Sequence, residues 1–124
     1  MKSRTRDKSL ATSVCLALIL GTAAQALTVF RVATTEDDEA FPSVSGHKVV
    51  WQFYNSRYGD WDLELADISN PNAPVVSALT DVPGDDQYPV LDGNDVVWQD
   101  NRDGNWEIYG AIVDGPEVAT EAKP

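Results

Sequence analysis

Residues 89–109 read PVLDGNDVVWQDNRDGNWEIY, and residues 42–65 read PSVSGHKVVWQFYNSRYGDWDLEL. Pro42 aligns with Pro89, Gly46 with Gly93, and Val49, Val50, Trp51 and Gln52 with Val96, Val97, Trp98 and Gln99, all 47 positions apart. After Gln52 the first copy carries two more residues. The register then resumes 45 apart, pairing Arg57 with Arg102, Gly59 with Gly104 and Trp61 with Trp106. A period of about 45 residues suits a four-stranded propeller blade or a two-helix solenoid unit. The VVW core is β-branched and aromatic, Gly punctuates each copy and Pro opens it, so the unit is built of strands and turns.

Working outward, each copy divides into strands. In the first, 41–45 predicts a short strand, Gly46-His47-Lys48 a turn and Val49–Tyr54 a second strand, apolar on both faces. Two buried faces fit a sheet held between two other sheets. Asn55–Asp60 has turn chemistry, and the two extra residues imply a longer hairpin tip than in the second copy. WDLELADI predicts a third strand, Ser69–Pro74 a loop, and Val75–Thr80 a fourth strand. The second copy gives strands at 88–92, 95–99 and 106–112, with a weak fourth strand near Glu117–Thr120. Residues 27–35, LTVFRVATT, predict a further strand, because the same plan recurs at 75–89: a strand ending in Thr, an acidic loop, then Pro.

Pro-x-x-x-Gly-x-x-Val-Val-Trp-Gln, followed by Arg-x-Gly-x-Trp-(Asp/Glu)-(Leu/Ile), resembles the TolB-like β-propeller repeats of secreted and cell-surface proteins. Residues Asn101–Tyr109 carry the likeness most closely. The first copy departs from it at Tyr58 and Glu64. The resemblance covers residues 32–114 and implies an all-β fold of two four-stranded antiparallel blades, a partial propeller. On that reading 27–40 is an outer strand and linker, 41–87 the first blade, 88–114 an incomplete second blade and 115–124 a polar tail. Such propellers serve many roles, so the likeness bears on fold more than on function.

The N-terminus is a separate element. Lys2, Arg4, Arg6 and Lys8 precede an apolar run, SLATSVCLALILGTAAQA, that ends in a small-x-small pattern at Ala24-Gln25-Ala26. This is the layout of a signal peptide over 1–26, with cleavage expected before Leu27 and export to a periplasmic, secreted or surface location. The rival reading is an uncleaved anchor, but the run is short and diluted by Ser, Thr and Gln. Apolar residues continue past Cys15, which argues against a lipid anchor there. Cys15 is the only cysteine, so the exported chain would hold no disulfide. Residues 1–26 hold four of the nine Lys and Arg and one of the twenty acids. The remainder has five basic and nineteen acidic residues, a formal net charge of −14. That balance argues against nucleic acid and anionic membranes as partners.

Few residues invite chemistry. His47 is the single histidine, and its counterpart Asn94 sits in the same turn, so an exposed turn residue is expected. Asp100, Asp103, Asn105 and Glu107, and separately Asp81, Asp85 and Asp86, could invite calcium, but the EF-hand spacing is absent. No cofactor or catalytic residue is expected. Arg57 and Arg102, with Asp100 and Asp103, are candidate rim or ligand contacts; a hairpin brace is the plainer role for each arginine. Trp51, Trp61, Trp98 and Trp106, with Val49, Val96, Gly59 and Gly104, form the expected repeat core. Each tryptophan, fully buried, contributes on the order of 4–6 kcal/mol gross at about 25 cal/mol per Å². These observations lead to a non-enzymatic module binding a protein or a surface polysaccharide, able to self-associate through blade closure. The alternatives are a fragment of a longer surface protein and an accessory piece of a propeller-type, glycosidase-like hydrolase.

Overall fold

A computed structural model describes residues 26–114, and these are all-β, without a helix. Residues 1–25 of the expected signal segment, Cys15 among them, and the expected weak strand near 117–120 lie outside the described residues. No helix among the described residues is long and apolar enough to cross a membrane.

Among the described residues seven strands form two antiparallel sheets. Sheet one runs in order through β1 (Glu39–Ser45), β2 (Lys48–Asn55), β3 (Asp60–Asp67) and β4 (Val75–Ala78). Sheet two runs through β5 (Asp86–Asp92), β6 (Asp95–Asp100) and β7 (Glu107–Ile112). The repeat is therefore realised as two meanders of equivalent strands, differing by one strand among the described residues. Residues 27–35, expected as a strand, carry none. Leu27 and Val29 stay exposed there, and without a neighbouring strand the segment's N–H and C=O groups are left to water.

The first strand of each sheet is bent by its proline. Pro cannot donate to a ladder, and the register slips between Ala40 and Ser43 in β1 and between Gln87 and Val90 in β5. Phe41 and Tyr88, just before the prolines, take positive φ of 52° and 54°. Their rings meet edge to face at 4.7 Å, so the two bulges pack on each other. The Tyr88 N–H, freed by the bulge, donates to Gln52 Oε1 at 2.8 Å.

The two extra residues of the first copy lengthen the ladder instead of the tip. The pair Phe53–Asp62 corresponds to Asp100–Glu107, where the second ladder stops. The first ladder continues through Tyr54–Trp61 and Asn55–Asp60. Residues 56–59 then suffice for its tip, against 101–106 in the second copy. Tyr54 and Trp61 stack edge to face at 5.5 Å across the added rungs, which favours pairing over looping.

Between the sheets lies one core: Val50, Leu63, Leu65, Leu79, Leu91, Val96, Trp98 and Val113, flanked by Tyr109 and Ala111. The faces that meet are not equivalent ones. Sheet one contributes the Val50 side of β2, whereas sheet two contributes the Val96 and Trp98 side of β6, which corresponds to Val49 and Trp51. The second repeat thus rests on the first with its opposite face. β5 is also tied to sheet one, since Leu91 N–H donates to Ser43 Oγ at 3.0 Å and Gly93 N–H to Ser45 Oγ at 2.9 Å.

Burial follows from this stacking. In β2, Val50, Trp51 and Gln52 are buried in succession, as two covered faces require. In β6 burial alternates: Val96 and Trp98 are buried, while Val97 is exposed. The free face of sheet two carries Tyr88, Val90, Val97 and Ile108, all exposed. Trp106, expected in the core, is 50% exposed, because it lies in the tip beyond the last rung of the shorter ladder. Trp61 is half-buried. Gly59 and Gly104 take φ of 80° and 91°, the left-handed conformation their hairpin tips need.

Candidate functional site

The structure gathers most of the sequence's candidate residues at one end of the molecule, where the 101–106 tip and the 79–85 connection meet. The connection is strapped to both hairpins through Asp85. Its Oδ1 accepts the Trp61 N–H at 3.1 Å and its Oδ2 accepts Asn101 Nδ2 at 3.3 Å, while its own N–H donates to Asn101 Oδ1 at 2.7 Å. Gly84 makes this approach feasible. Its φ is 117°, and a Cβ there would lie 2.9 Å from both Arg102 Cα and Asn101 Oδ1. Gly84→Ala should therefore destabilise the fold by about 1–3 kcal/mol through backbone strain, with the clash added. Thermal unfolding measures it; an unchanged melting curve would show that the connection is not pinned to the tip.

Inside this end sits a buried pair of acids. Asp86 at the start of β5 and Asp100 at the end of β6 face each other as ladder partners, and both are fully enclosed. Asp86 Oδ1 accepts the Trp98 indole N–H at 3.0 Å. Asp100 accepts two hydrogen bonds from Arg102, the backbone N–H on Oδ1 at 2.8 Å and Nε on Oδ2 at 2.6 Å, and forms an ion pair with it, Nη2 lying 2.5 Å from Oδ2. Arg102 Nη2 also stands 4.0 Å from Asp86 Oδ1. The guanidinium lies on the Tyr109 ring, 4.2 Å from its centre, and the Tyr109 hydroxyl donates to Asp103 at 2.8 Å.

The two carboxyls divide one charge between them. Burial pushes Asp86 up to about 8, the neighbouring Asp100 adds to the rise, and the Thr80 and Trp98 donors oppose it only in part. Burial acts on Asp100 too, but the Arg102 and Asp86 donors outweigh it and hold Asp100 below the usual carboxylate range. At neutral pH Asp86 is the proton carrier and Asp100 the anion, the arrangement expected of carboxyls too close to ionise together. Asp103 raises the Tyr109 phenol by accepting its proton in a hydrogen bond.

The other candidates separate. Arg102, Asp100 and Asp103 are engaged with one another and with Tyr109, so Arg102 is a brace within its own hairpin. Arg57 is instead exposed in its own tip, its guanidinium 5.3 Å from the Tyr58 ring centre. Asn105 donates to Glu107 at 3.1 Å. Among the described residues no three His, Cys, Asp or Glu side chains converge as metal ligands. A cleft of about 180 Å³ opens beside the connection, lined by Tyr58, Asp60, Asp62, Asp81, Val82 and Pro83; neither Asp86 nor Asp100 lines it. His47 is exposed at the opposite end, where its turn lies beside that of Asn94 and Lys48 Nζ reaches across to Asn94 Oδ1 and to the Val113 carbonyl.

No protein-family model matches the chain, and no curated protein is significantly similar to it.

The buried acid pair escapes repeat-based reading. The counterpart of Asp86 is Glu39, which is exposed and accepts the Thr35 hydroxyl, and the rung of Asp100 is held by Phe53 in the first copy. A signal was nevertheless present. Asp100 shares strand parity with Val96 and Trp98, so an inward Trp98 implies an inward Asp100 that needs a cation beside it.

Proposed function

We propose that the chain is an exported, non-enzymatic repeat module of the TolB-like β-propeller kind, binding a protein or a cell-surface polymer. The observation that carries this reading is the stacking of the sheets. The Val50, Leu63 and Leu65 face of one repeat receives the Val96 and Trp98 face of the next, so the relation between units is head to tail and can be repeated. Sheets placed around an axis stack in this sense. A binding role fits the way the chemistry is spent: Asp100, Arg102 and Asp103 are engaged in holding a hairpin, and the acid pair is walled in by Trp98 and Thr80.

The hydrolase alternative gains one specific observation, the facing carboxyls with Asp86 raised to about 8, the polarity of an acid and a base. It lacks access for a substrate, since both side chains are fully buried. Titration calorimetry of the purified chain against isolated envelope polysaccharides and exported proteins, with chromogenic glycosides as the parallel assay, tests both readings. Saturable binding without turnover supports the module. Turnover abolished by Asp100→Asn would replace it with the hydrolase.

A further inference from the structure

Sheet two is one strand short of sheet one among the described residues, and the missing place has a defined shape. In sheet one, β4 pairs with β3 through Glu64–Ala78, Leu65–Ser77, Ala66–Val76 and Asp67–Val75. Leu79 N–H extends the ladder to the Leu63 carbonyl at 2.8 Å. The counterpart of β3 is β7, whose only strand partner among the described residues is β6. By the 47-residue spacing, the counterpart of Val75–Ala78 is residues 28–31, Thr-Val-Phe-Arg.

That spacing is supported by a repeated bond. Tyr54 N–H donates to the Asp38 carbonyl at 2.9 Å, and 47 positions later Asn101 N–H donates to the Asp85 carbonyl at 3.3 Å. The acidic linker before β1 thus follows the path of the connection before β5. The segment upstream of it differs from β4 in one respect: it lies exposed, outside any strand, with Leu27 at 89% and Val29 at 83% exposure.

We infer that residues 28–31 of one chain add as the fourth strand to β7 of a second copy. The partner is a second copy because the linker that follows residues 28–31 reaches the face of sheet one turned away from sheet two. Asp37 interacts with Glu64, which shares a face with Trp51, whereas the Val50 and Leu65 face meets sheet two. The pairing follows from β3 and β4: Tyr109 with Arg31, Gly110 with Phe30, Ala111 with Val29 and Ile112 with Thr28. Gly110 is the telling position. It replaces Leu65, and a Cβ there would meet the Val96 carbonyl at 3.3 Å. Opposite it Phe30 replaces Ser77, so a large ring lies across from a glycine where sheet one has a leucine across from a serine. Side-chain volume has changed strands while the pair stays filled. Added to β7, the strand also covers an edge left unpaired among the described residues and shields Ile112, which is 76% exposed.

The inference rests on the repeat-module reading and names the partner as the chain itself. Thr28→Cys and Ile112→Cys, made in separate full-length chains lacking Cys15 through Cys15→Ser, test it after mixing and mild oxidation. Directly opposed residues of an antiparallel pair lie within disulfide reach. A mixed disulfide dimer is expected on non-reducing gels, at least tenfold more abundant than from Thr28→Cys mixed with the off-register Glu107→Cys. Sedimentation of the parent should show concentration-dependent oligomers that Phe30→Asp converts to folded monomers. An intrachain disulfide when Thr28→Cys and Ile112→Cys are placed in one chain, or equal yields from both mixtures, would overturn the inference. So would cross-linking that requires deletion of residues 115–124, which would give the β7 edge to the chain's own tail. Polymer binding that survives any of these failures would leave the module reading standing.

Discussion

Trp98→Ala is expected to lose about 3–5 kcal/mol of stability. Trp98 is 5% exposed, lies in the one core between the sheets and stacks with Tyr109 at 6.4 Å. Its removal leaves a cavity that two sheets, held in register by the Ser43, Ser45 and Gln52 bonds to β5, cannot close by sliding. It also takes the indole donor from Asp86 at a buried site. A domain of this size has about 5–15 kcal/mol in all, so the variant should unfold at far lower urea or lose its cooperative transition. Trp98→Phe separates the two causes, keeping most of the volume and losing the donor. Trp106→Ala, at the matching position of the other tryptophan pattern, should cost about 1 kcal/mol or less, because that ring is half in solvent. Equal losses for Trp98→Ala and Trp106→Ala in equilibrium denaturation would contradict the core described above.

Six of the seven described strands were legible because the repeat states each of them twice, as β1 and β5, β2 and β6, and β3 and β7. Val49–Gln52 and Val96–Gln99 place β2 and β6, and the flanking glycines and prolines place the turns. What the repeat could not state is how the copies differ. Aligning the two phrases shows two surplus residues but not that Tyr54 and Trp61 would pair and extend the ladder. That depends on a cross-strand contact invisible in either strand alone. Analogy with Trp61 places Trp106 in the core, yet the shorter second ladder ends before it. Val97 and Ile108 have apolar counterparts in Val50 and Leu63, but only Val50 and Leu63 have a sheet resting on them. Residues 27–35 have strand composition and lack a strand, because composition supplies propensity and a ladder needs a neighbour. The candidate site was legible as a set of residue types at one hairpin, Asp100, Arg102 and Asp103. Its depth was not, since Asp86 enters from a different strand and its counterpart in the first copy, Glu39, is exposed.

Between about pH 4 and pH 8 the protein is expected to lose stability as the pH rises, and Asp86 is the cause. In the unfolded chain an aspartate releases its proton near 3.9. In the fold Asp86 retains it up to about 8, chiefly because burial penalises the anion and Asp100 already holds the local negative charge. Through that window the folded state binds one proton more than the unfolded state. Stability must then fall with pH, by at most about 1.4 kcal/mol per unit for one proton. Asp100 works in the opposite sense at the acid end. Burial raises it, but the Arg102 and Asp86 donors prevail and hold it below its unfolded value, so its contribution is lost as the pH falls through that lowered folded value. The pair therefore favours a stability maximum near the lower end of the window, not at neutrality. Burial also raises Glu64, which adds to the slope in the same sense, so the difference between the parent and Asp86→Asn is what isolates Asp86. Asp86→Asn should flatten the curve in that window, since an amide stays neutral and can still donate to Asp100. Asp100→Ala should be far more harmful, about 3–5 kcal/mol, because it strips the buried partner from Arg102. Urea denaturation at pH 5, 6, 7 and 8 reads the slope, and the carbon-13 shift of the Asp86 carboxyl reads the proton directly. A carboxyl that titrates near 4, or a slope unchanged in Asp86→Asn, would mean that the two acids do not share one proton.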